Sequence, residues 1–462
     1  MLLKDKLENV KSLLKSDNVL ASLEERYCYA EDASNYKSET TIPDLVVFVE
    51  SIEDVQKVVK YAKQHSVPLI SRGAGTNMVG ACTCINGGIV LNFSKMNKIK
   101  EINLVNMTAR VEPGVVLGDL KEKAEALGLF YPPDPSNYRV STVGGSIAQA
   151  SGGAKAFKYG TTKDYVMSLK IINSNGELVT IGSNTVKNSS GYHIEQLLVG
   201  SEGTLAIIVE AVLKLIPKPE TKRTVLGYFR SSTDLVEAVN NLIMSNVYPA
   251  AIDFMDNNSI KTVEDYINLG LDIEADFMLI VELDGLEASM STQIERVTSS
   301  FNKARVKSFK VAKSEEESEM LWRARCSSFA AATRLAPDVI SDDIIVPRDR
   351  LAEMLEKCNE ISEKYSLKVC TVGHAGDANI HPQFVLDLNN EDEFRKYQMA
   401  KNEMYFWVKE FSGIISAEHG VGVEKLPYLE NIIDEETLNY MKKIKKIFDP
   451  QNIFNPGKIF KI

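Results

Sequence analysis

Apolar and polar positions alternate with a changing period between Pro43 and about Pro219. LVVFVES (45–51) reads as a strand, IEDVQKVVKYAKQHS (52–66) repeats its apolar positions at helical spacing, and VPLISRG (67–73) reads as a strand running into a glycine turn. Three Gly-rich turns stand out: RGAGTNMVG at 72–80, STVGGSIAQASGGAKAFKYG at 141–160 and VGSEGTLAII at 199–208. PKPETK (217–222) punctuates the chain with proline and charge. Beyond it, helical text such as STDLVEAVNNLIMSN alternates with strand text such as DFMLIVELDG and DIIVPRD. Both parts predict α+β architecture. The opening MLLKDKLENVKSLLK interleaves Leu3, Leu7, Val10 and Leu14 with charges, as an amphipathic surface helix does. SEEESE (314–319) fits a solvated helix start, and a Lys-rich helical stretch, YMKKIKKIF, leads into DPQNIFNPGKIF.

The 462 residues, 44% of them hydrophobic and 25% charged, make a globular protein of two or three domains, which excludes disorder as the main state. A net charge of -10 argues against general nucleic-acid binding. The six cysteines are too scattered for an iron-sulfur cluster or a disulfide framework and read as free thiols. No signal-peptide core and no run of 18 apolar residues is present, so the expectation is a cytoplasmic protein without a transmembrane segment, peripheral membrane attachment being left open.

Glycine loops let backbone N–H groups approach phosphate oxygens. Gly73, Gly75, Thr76 and Asn77 are therefore candidates for a pyrophosphate cradle. Met78 stands where GxGxxG needs its third glycine and no GK[ST] follows, so Rossmann and P-loop readings lose support. Taken together, RGAGTNMVG, PPDPSNYRVSTVGGSIAQASGG, GSEGTLAII and NPGK resemble, in order and spacing, the flavin domain of the vanillyl-alcohol oxidase/para-cresol methylhydroxylase (PCMH) superfamily. The likeness is to its FAD-linked D-2-hydroxyacid dehydrogenase branch, which acts on D-lactate, glycolate and D-2-hydroxyglutarate, and it runs from about Pro43 to Lys458.

The resemblance implies a two-part FAD domain with an inserted α+β substrate or cap domain and a C-terminal return: 1–219, 220–425 and 426–462. It implies that Arg72, Gly73, Ala74, Gly75, Thr76, Asn77 and Met78 line the FAD pyrophosphate. Pro132, Asp134, Ser136, Thr142, Gly144, Gly145, Ser146, Gly152 and Gly153 would continue around the cofactor, with Glu202, Gly203, Ile207 and Asn455 nearby. Ser146, Gln149 and His193 depart from the family's usual Asn, Glu and Asp. The first loop holds no His, so the FAD is expected to be non-covalent.

The segment VCTVGHAGDANIHPQF (369–384) places two of the five histidines seven apart, on opposite faces of a continuous strand. A hairpin with Asp377 and Ala378 as its loop would instead set His374 directly opposite His381, Cβ atoms about 4.5 to 5.5 Å apart, within reach of one cation. Ala378 stands where such a turn, and the family, want glycine. SGIISAEHGVGVEK (412–425) resembles the family's second signature and supplies Glu418. Two His and one carboxylate suit a divalent metal, Zn, Fe or Mn.

His419 is the candidate base for the substrate hydroxyl. LWRARC matches the family's LWxxR at Arg325, a forked cation for the substrate carboxylate, whereas Arg323 reads as surface and Trp322 as packing. Lys425 and Asn379 rank second, for substrate charge and ligand orientation. Arg72, Arg325 and Lys425, with the metal and backbone N–H groups, are where this acidic chain should gather positive potential.

The implied reaction is oxidation of a small 2-hydroxy acid, D-lactate first, with electrons leaving to an electron-transferring flavoprotein or a quinone. Glycolate and D-2-hydroxyglutarate remain open as substrates. So do two other classes: a non-catalytic flavoprotein relay subunit and a flavin-free metal hydrolase.

Overall fold

The computed structural model describes residues 10–36 and 41–461. The amphipathic helix expected at the start of the chain lies outside them up to residue 9; Val10 is fully buried, and Leu13 and Leu14 pack against the same apolar cluster. The chain divides into two compact units, one drawn from Met1–Gly152, Thr161–Lys218 and Glu418–Ile462, the other from Gly153–Gly160 and Pro219–Ala417. The return to the first unit thus begins at Glu418, ahead of the expected 426. Gly153–Gly160, inside a glycine motif assigned to the first domain, belongs to the second unit.

The first unit opens with β1 (Val19–Leu20), β2 (Leu45–Phe48), β3 (Leu69–Arg72) and β4 (Ile89–Asn92), in the order β1-β2-β4-β3. β4 runs parallel to both β2 and β3. Helix Ile52–His65 carries the chain from β2 to β3, which flank β4 on either side: Ser51 caps its start, and Val55, Val58, Val59 and Ala62 bury its apolar stripe. A second, antiparallel sheet holds β5 (Ile99–Asn103), β6 (Thr108–Val111), β8 (Val166–Ile172), β9 (Leu178–Gly182) and β10 (Ile207–Lys214), while β7 (Leu129–Phe130) pairs with β11 (Ile216–Pro217). The return segment is locked into this unit by Leu69 N–H to Ile453 O at 2.7 Å and by Lys445 Nζ, which donates to Thr204 O at 2.7 Å and Phe454 O at 2.8 Å.

The second unit is one antiparallel sheet of β12 (Thr221–Phe229), β13 (Ala251–Asp256), β14 (Phe277–Gly285), β15 (Ser308–Val311), β16 (Asp338–Ser341), β17 (Ile344–Ile345), β18 (Lys368–His374) and β19 (Asn379–Leu386). The order is β15-β12-β14-β13-β18-β19-β16, with β17 also on β19. Helices Ser232–Met244, Met290–Lys303 and Leu351–Tyr365 cover one face; Asn257–Ile267, Glu315–Cys326 and Ser328–Ala332 cover the other. Sheet and latter helices share a core of Leu226, Met255, Ile280, Leu321, Ala324 and Val372. Among the described residues no helix is long and apolar enough to cross a membrane.

Candidate functional site

The end of β3 opens into a cleft of the first unit that encloses about 950 Å³, its mouth included. Gly73 is required by close approach: a Cβ there would lie 2.2 Å from Thr142 Oγ1, the hydroxyl that caps helix Val143–Gln149 by accepting from Gly145 N–H. Gly75 is required by its φ of +73°. Asn77 fastens the turn, its Oδ1 accepting from Val79 and Ala81 N–H at 2.9 Å and its Nδ2 donating to His419 O at 3.3 Å. Gly152 leaves room for Glu418, whose Oε2 would stand 2.8 Å from an added Cβ.

Of the expected cofactor residues, Gly73 to Met78, Ser136, Thr142, Gly145, Ser146, Gly152, Glu202 and Gly203 line this cleft. Several others are turned to structural work. Arg72 is buried against Tyr29 and donates to Glu31 O at 2.7 Å. Pro132 offers its carbonyl to Lys121 Nζ, Gly144 packs on Pro113, and Ile207 sits in the core. Asn455 bridges Ala81 O and Glu202 O at 2.8 and 2.7 Å, Asp134 lies off the cleft wall, and Gly153 belongs to the second unit. His193 pairs with Glu195 and does not line the cleft.

Three lining atoms are buried without a hydrogen-bond partner: Ser71 Oγ and Ser141 Oγ, which were not among the expected cofactor residues, and Oε1 of Gln149, a departure from the family's usual Glu. Buried polar atoms cost free energy unless satisfied, so a glycine cradle with such atoms fits a polar, phosphate-bearing ligand such as FAD. Ser141 immediately precedes the recognised Thr142. Glu202, with φ +51°, accepts from Val421 and Gly422 N–H at 2.6 and 2.9 Å. Burial pushes its carboxyl up to about 7 against the pull of those two amides. Cys82 also lines the cleft; burial raises its thiol to about 12, and no disulfide forms among the described residues.

The second unit carries the histidines. The hairpin is not the two-residue turn expected: Asn379, not His381, lies opposite His374, and His381 faces Val372. Ala375 to Ala378 form a four-residue loop, closed by Asp377 N–H to His374 O at 3.2 Å, with Ala378 at φ +59°. A shift of two residues preserves the face, so the two imidazoles meet diagonally with ring centroids 5.3 Å apart.

Behind them stand groups that the motifs did not reveal. Asp253 Oδ1 accepts from His374 Nδ1 at 2.8 Å, and the carbonyl of Asp342 accepts from His381 Nδ1 at 3.2 Å. With its proton on Nδ1, a neutral ring at either position would carry its lone pair on Nε2, the arrangement of a metal-ligating histidine. Asp253 is 2% exposed; burial pushes its carboxyl up, but His374 and Arg325 outweigh it and the net direction is down. Asp342 accepts from Tyr405 Oη at 2.9 Å. The fully buried Asp343 accepts from Asn379 Nδ2 at 2.8 Å, Ser416 Oγ at 2.9 Å and Ala417 N–H at 2.8 Å. Asn379 therefore orients Asp343 and donates also to Ile344 O. Gln383, two residues beyond His381, keeps Oε1 buried without a partner.

Arg325, on helix Glu315–Cys326, brings Nε within 2.9 Å of Asp253 Oδ2, while Arg323 is exposed and Trp322 donates to Thr224 Oγ1 at 3.3 Å. Glu418 and His419 belong to the first unit, where His419 lines the cleft with Nε2 3.9 Å from Glu418 Oε1. Lys425 is buried at the start of helix Leu426–Ile432 and does not line the cleft. Of the three expected metal ligands, His374 and His381 are thus paired in one unit, and Glu418 follows Ala417 across the peptide bond that leaves it.

Residues 43–182 match the model of an FAD binding domain, and residues 218–459 match that of the C-terminal domain of FAD linked oxidases. The chain is 39% identical to the glycolate oxidase subunit GlcD of Bacillus subtilis, over 100% of this chain and 97% of the relative. It is 34% identical to a D-lactate dehydrogenase of Anaerostipes hadrus (90% and 89% covered) and 31% identical to a D-2-hydroxyglutarate dehydrogenase of Stutzerimonas stutzeri (98% and 98%). Among solved structures it resembles p-cresol methylhydroxylase, with a TM-score of 0.82 at 16% identity, covering 99% of this chain and 96% of that one. The 4-ethylphenol oxidase of Gulosibacter chungangensis gives 0.79 at 18%, covering 99% and 97%. At these identities the structural likeness is one of fold.

Proposed function

This chain belongs to the family of FAD-linked oxidases, and we propose that it oxidises a small 2-hydroxy acid to the 2-oxo acid with the help of a divalent metal. FAD, when bound, supplies the redox chemistry by accepting the hydride from the substrate's Cα. A metal supplies polarisation of the substrate hydroxyl, lowering its pKa. The observation that carries the metal reading is the His374–His381 pair, each ring held at Nδ1 so that Nε2 is the donor. Glu418 is the proposed third ligand, supported by the second signature and by Asp343, which grips Ser416 and Ala417 one peptide bond before it. Two nitrogens and a carboxylate suit Zn, Fe or Mn.

His419 is the proposed base, an imidazole able to take the hydroxyl proton near neutral pH. Arg325 is the proposed partner of the substrate carboxylate. One guanidinium beside buried Asp253 favours a monocarboxylate over a diacid. D-lactate and glycolate are the candidates, and the 39% identity to a glycolate oxidase subunit favours glycolate of the two. Electrons then pass to an electron-transferring flavoprotein or a quinone.

Anaerobic mixing of the FAD-loaded protein with D- and L-lactate, glycolate and D-2-hydroxyglutarate, with and without chelator, tests the reading. Rapid flavin bleaching by glycolate or D-lactate, abolished by chelator and restored by metal, is expected. Bleaching unaffected by chelator removes the metal, and no bleaching by any acid removes the reaction.

A further inference from the structure

Asp253 was invisible to motif reading, yet it lies at the junction of the groups assigned to metal and substrate. In the sheet register its Cα is paired with that of His374, so the two side chains leave β13 and β18 on the same face. Its carboxylate divides its oxygens: Oδ1 lies 2.8 Å from His374 Nδ1, and Oδ2 lies 2.9 Å from Arg325 Nε. We propose that Asp253 is a positioning residue that fixes the donor nitrogen of His374 and the aim of Arg325 together, so that metal and substrate carboxylate are held in one register.

The physical basis is the acceptor-only character of a carboxylate. It admits only the tautomer of His374 with its proton on Nδ1, and it makes the imidazole a better electron donor through Nε2. The contact to Arg325 is ionic and not an aligned hydrogen bond, since Nε–H finds no acceptor geometry. It is made at the elbow of the guanidinium, and among the described residues Asp253 is the only ionic partner of Arg325. Contact at Nε sets the direction of the fork while leaving the two terminal nitrogens chemically able to engage a carboxylate. At 2% exposure Asp253 has little water to fall back on, so removing its charge affects both partners at once.

The proposal rests on the reading of His374 as a metal ligand, and the test separates the two. FAD-loaded wild type and Asp253→Asn are titrated with Zn²⁺ and Mn²⁺ against a competing chelator, and KM and kcat are measured for the acid that bleaches wild-type flavin. The variant should bind metal 10- to 100-fold more weakly. KM should rise while flavin content stays near wild type and the variant remains folded, its thermal midpoint lowered because the Arg325 charge is left without its buried partner. In the Asp253→Asn/Arg325→Lys double variant, the KM effects should combine to less than their product, because one acts through the other. Metal affinity and KM unchanged in folded Asp253→Asn overturn the proposal. If wild type itself takes up no metal, the metal reading falls, and this inference with it. Should Asp253→Asn fail to fold, Asp253→Glu keeps the charge and displaces it by one methylene; the same losses, smaller, are then expected, and wild-type metal affinity overturns the proposal.

Discussion

On the proposed function, the cleft of the first unit and the histidine face of the second would recognise opposite charges by opposite means. The cleft is shaped by absent side chains, Gly73, Gly75 and Gly152 among them, with small polar atoms left unsatisfied in its wall. The histidine face is built from side chains: two imidazoles in front of the buried carboxylates Asp253, Asp342 and Asp343. The proposed anion would be met by backbone N–H groups and close approach, the proposed cation by concentrated negative charge. Of the residues expected to gather positive potential, Arg72 is engaged on a backbone carbonyl and Lys425 is buried off the cleft, while Arg325 meets Asp253 through Nε.

The two sites should therefore fail separately. His381→Ala removes one Nε2 donor, and turnover should drop on the order of a thousandfold, the several kcal/mol that a bound metal contributes at a developing charge. Metal analysis should show the loss while flavin absorbance is retained; flavin lost in parallel would break the comparison. Glu202→Gln probes the cleft through pH. The wild-type carboxyl titrates near 7 when folded and near 4.5 when unfolded, so folding takes up a proton between those values and stability falls as pH rises through that window. The fall amounts to about 3 kcal/mol for a shift of this size. Thermal midpoints followed from pH 4.5 to 7.5 should show that slope in wild type and a flatter profile in the variant.

Gly73→Val should weaken FAD binding by about 2 kcal/mol, roughly thirtyfold, because its side chain displaces the Thr142 hydroxyl from its cap. Flavin titration checks it, and chelator competition should find the metal site intact. The smallest effect is expected at Lys121, whose ammonium donates to Tyr131, Pro132 and Pro133 carbonyls at 2.7, 3.3 and 2.7 Å. Lys121→Met should lower stability by about 1–3 kcal/mol through those unsatisfied carbonyls, with little change in turnover, as urea unfolding would show.

The glycine loops were legible because a turn with positive φ or a close backbone approach leaves a trace at a fixed position. The shared face of His374 and His381 was legible for a related reason, since strand alternation survives a two-residue change of register. The register itself was hidden: Ala378 adopts the left-handed conformation that glycine usually provides, and the loop lengthens to four residues. Asp253 was hidden because it meets His374 from 121 residues away. Asp342 and Asp343 read as a polar pair between apolar runs until Tyr405 and Asn379 are folded onto them. Gly153–Gly160 was hidden because its composition continues the motif it interrupts; Phe157 packs on Tyr248 and Lys158 pairs with Asp284.

The division of the first unit among three stretches of chain also has a biosynthetic consequence. Leu69, Ala81 and Glu202 find their partners in Ile453 and Asn455, which the ribosome adds only after the whole of 219–417 has been made. Domains commonly fold as they emerge. Here the sheet that bears the histidines is complete in the nascent chain while the cleft still lacks Glu418 and His419 of its wall, so the cleft of the first unit can be completed only late in synthesis.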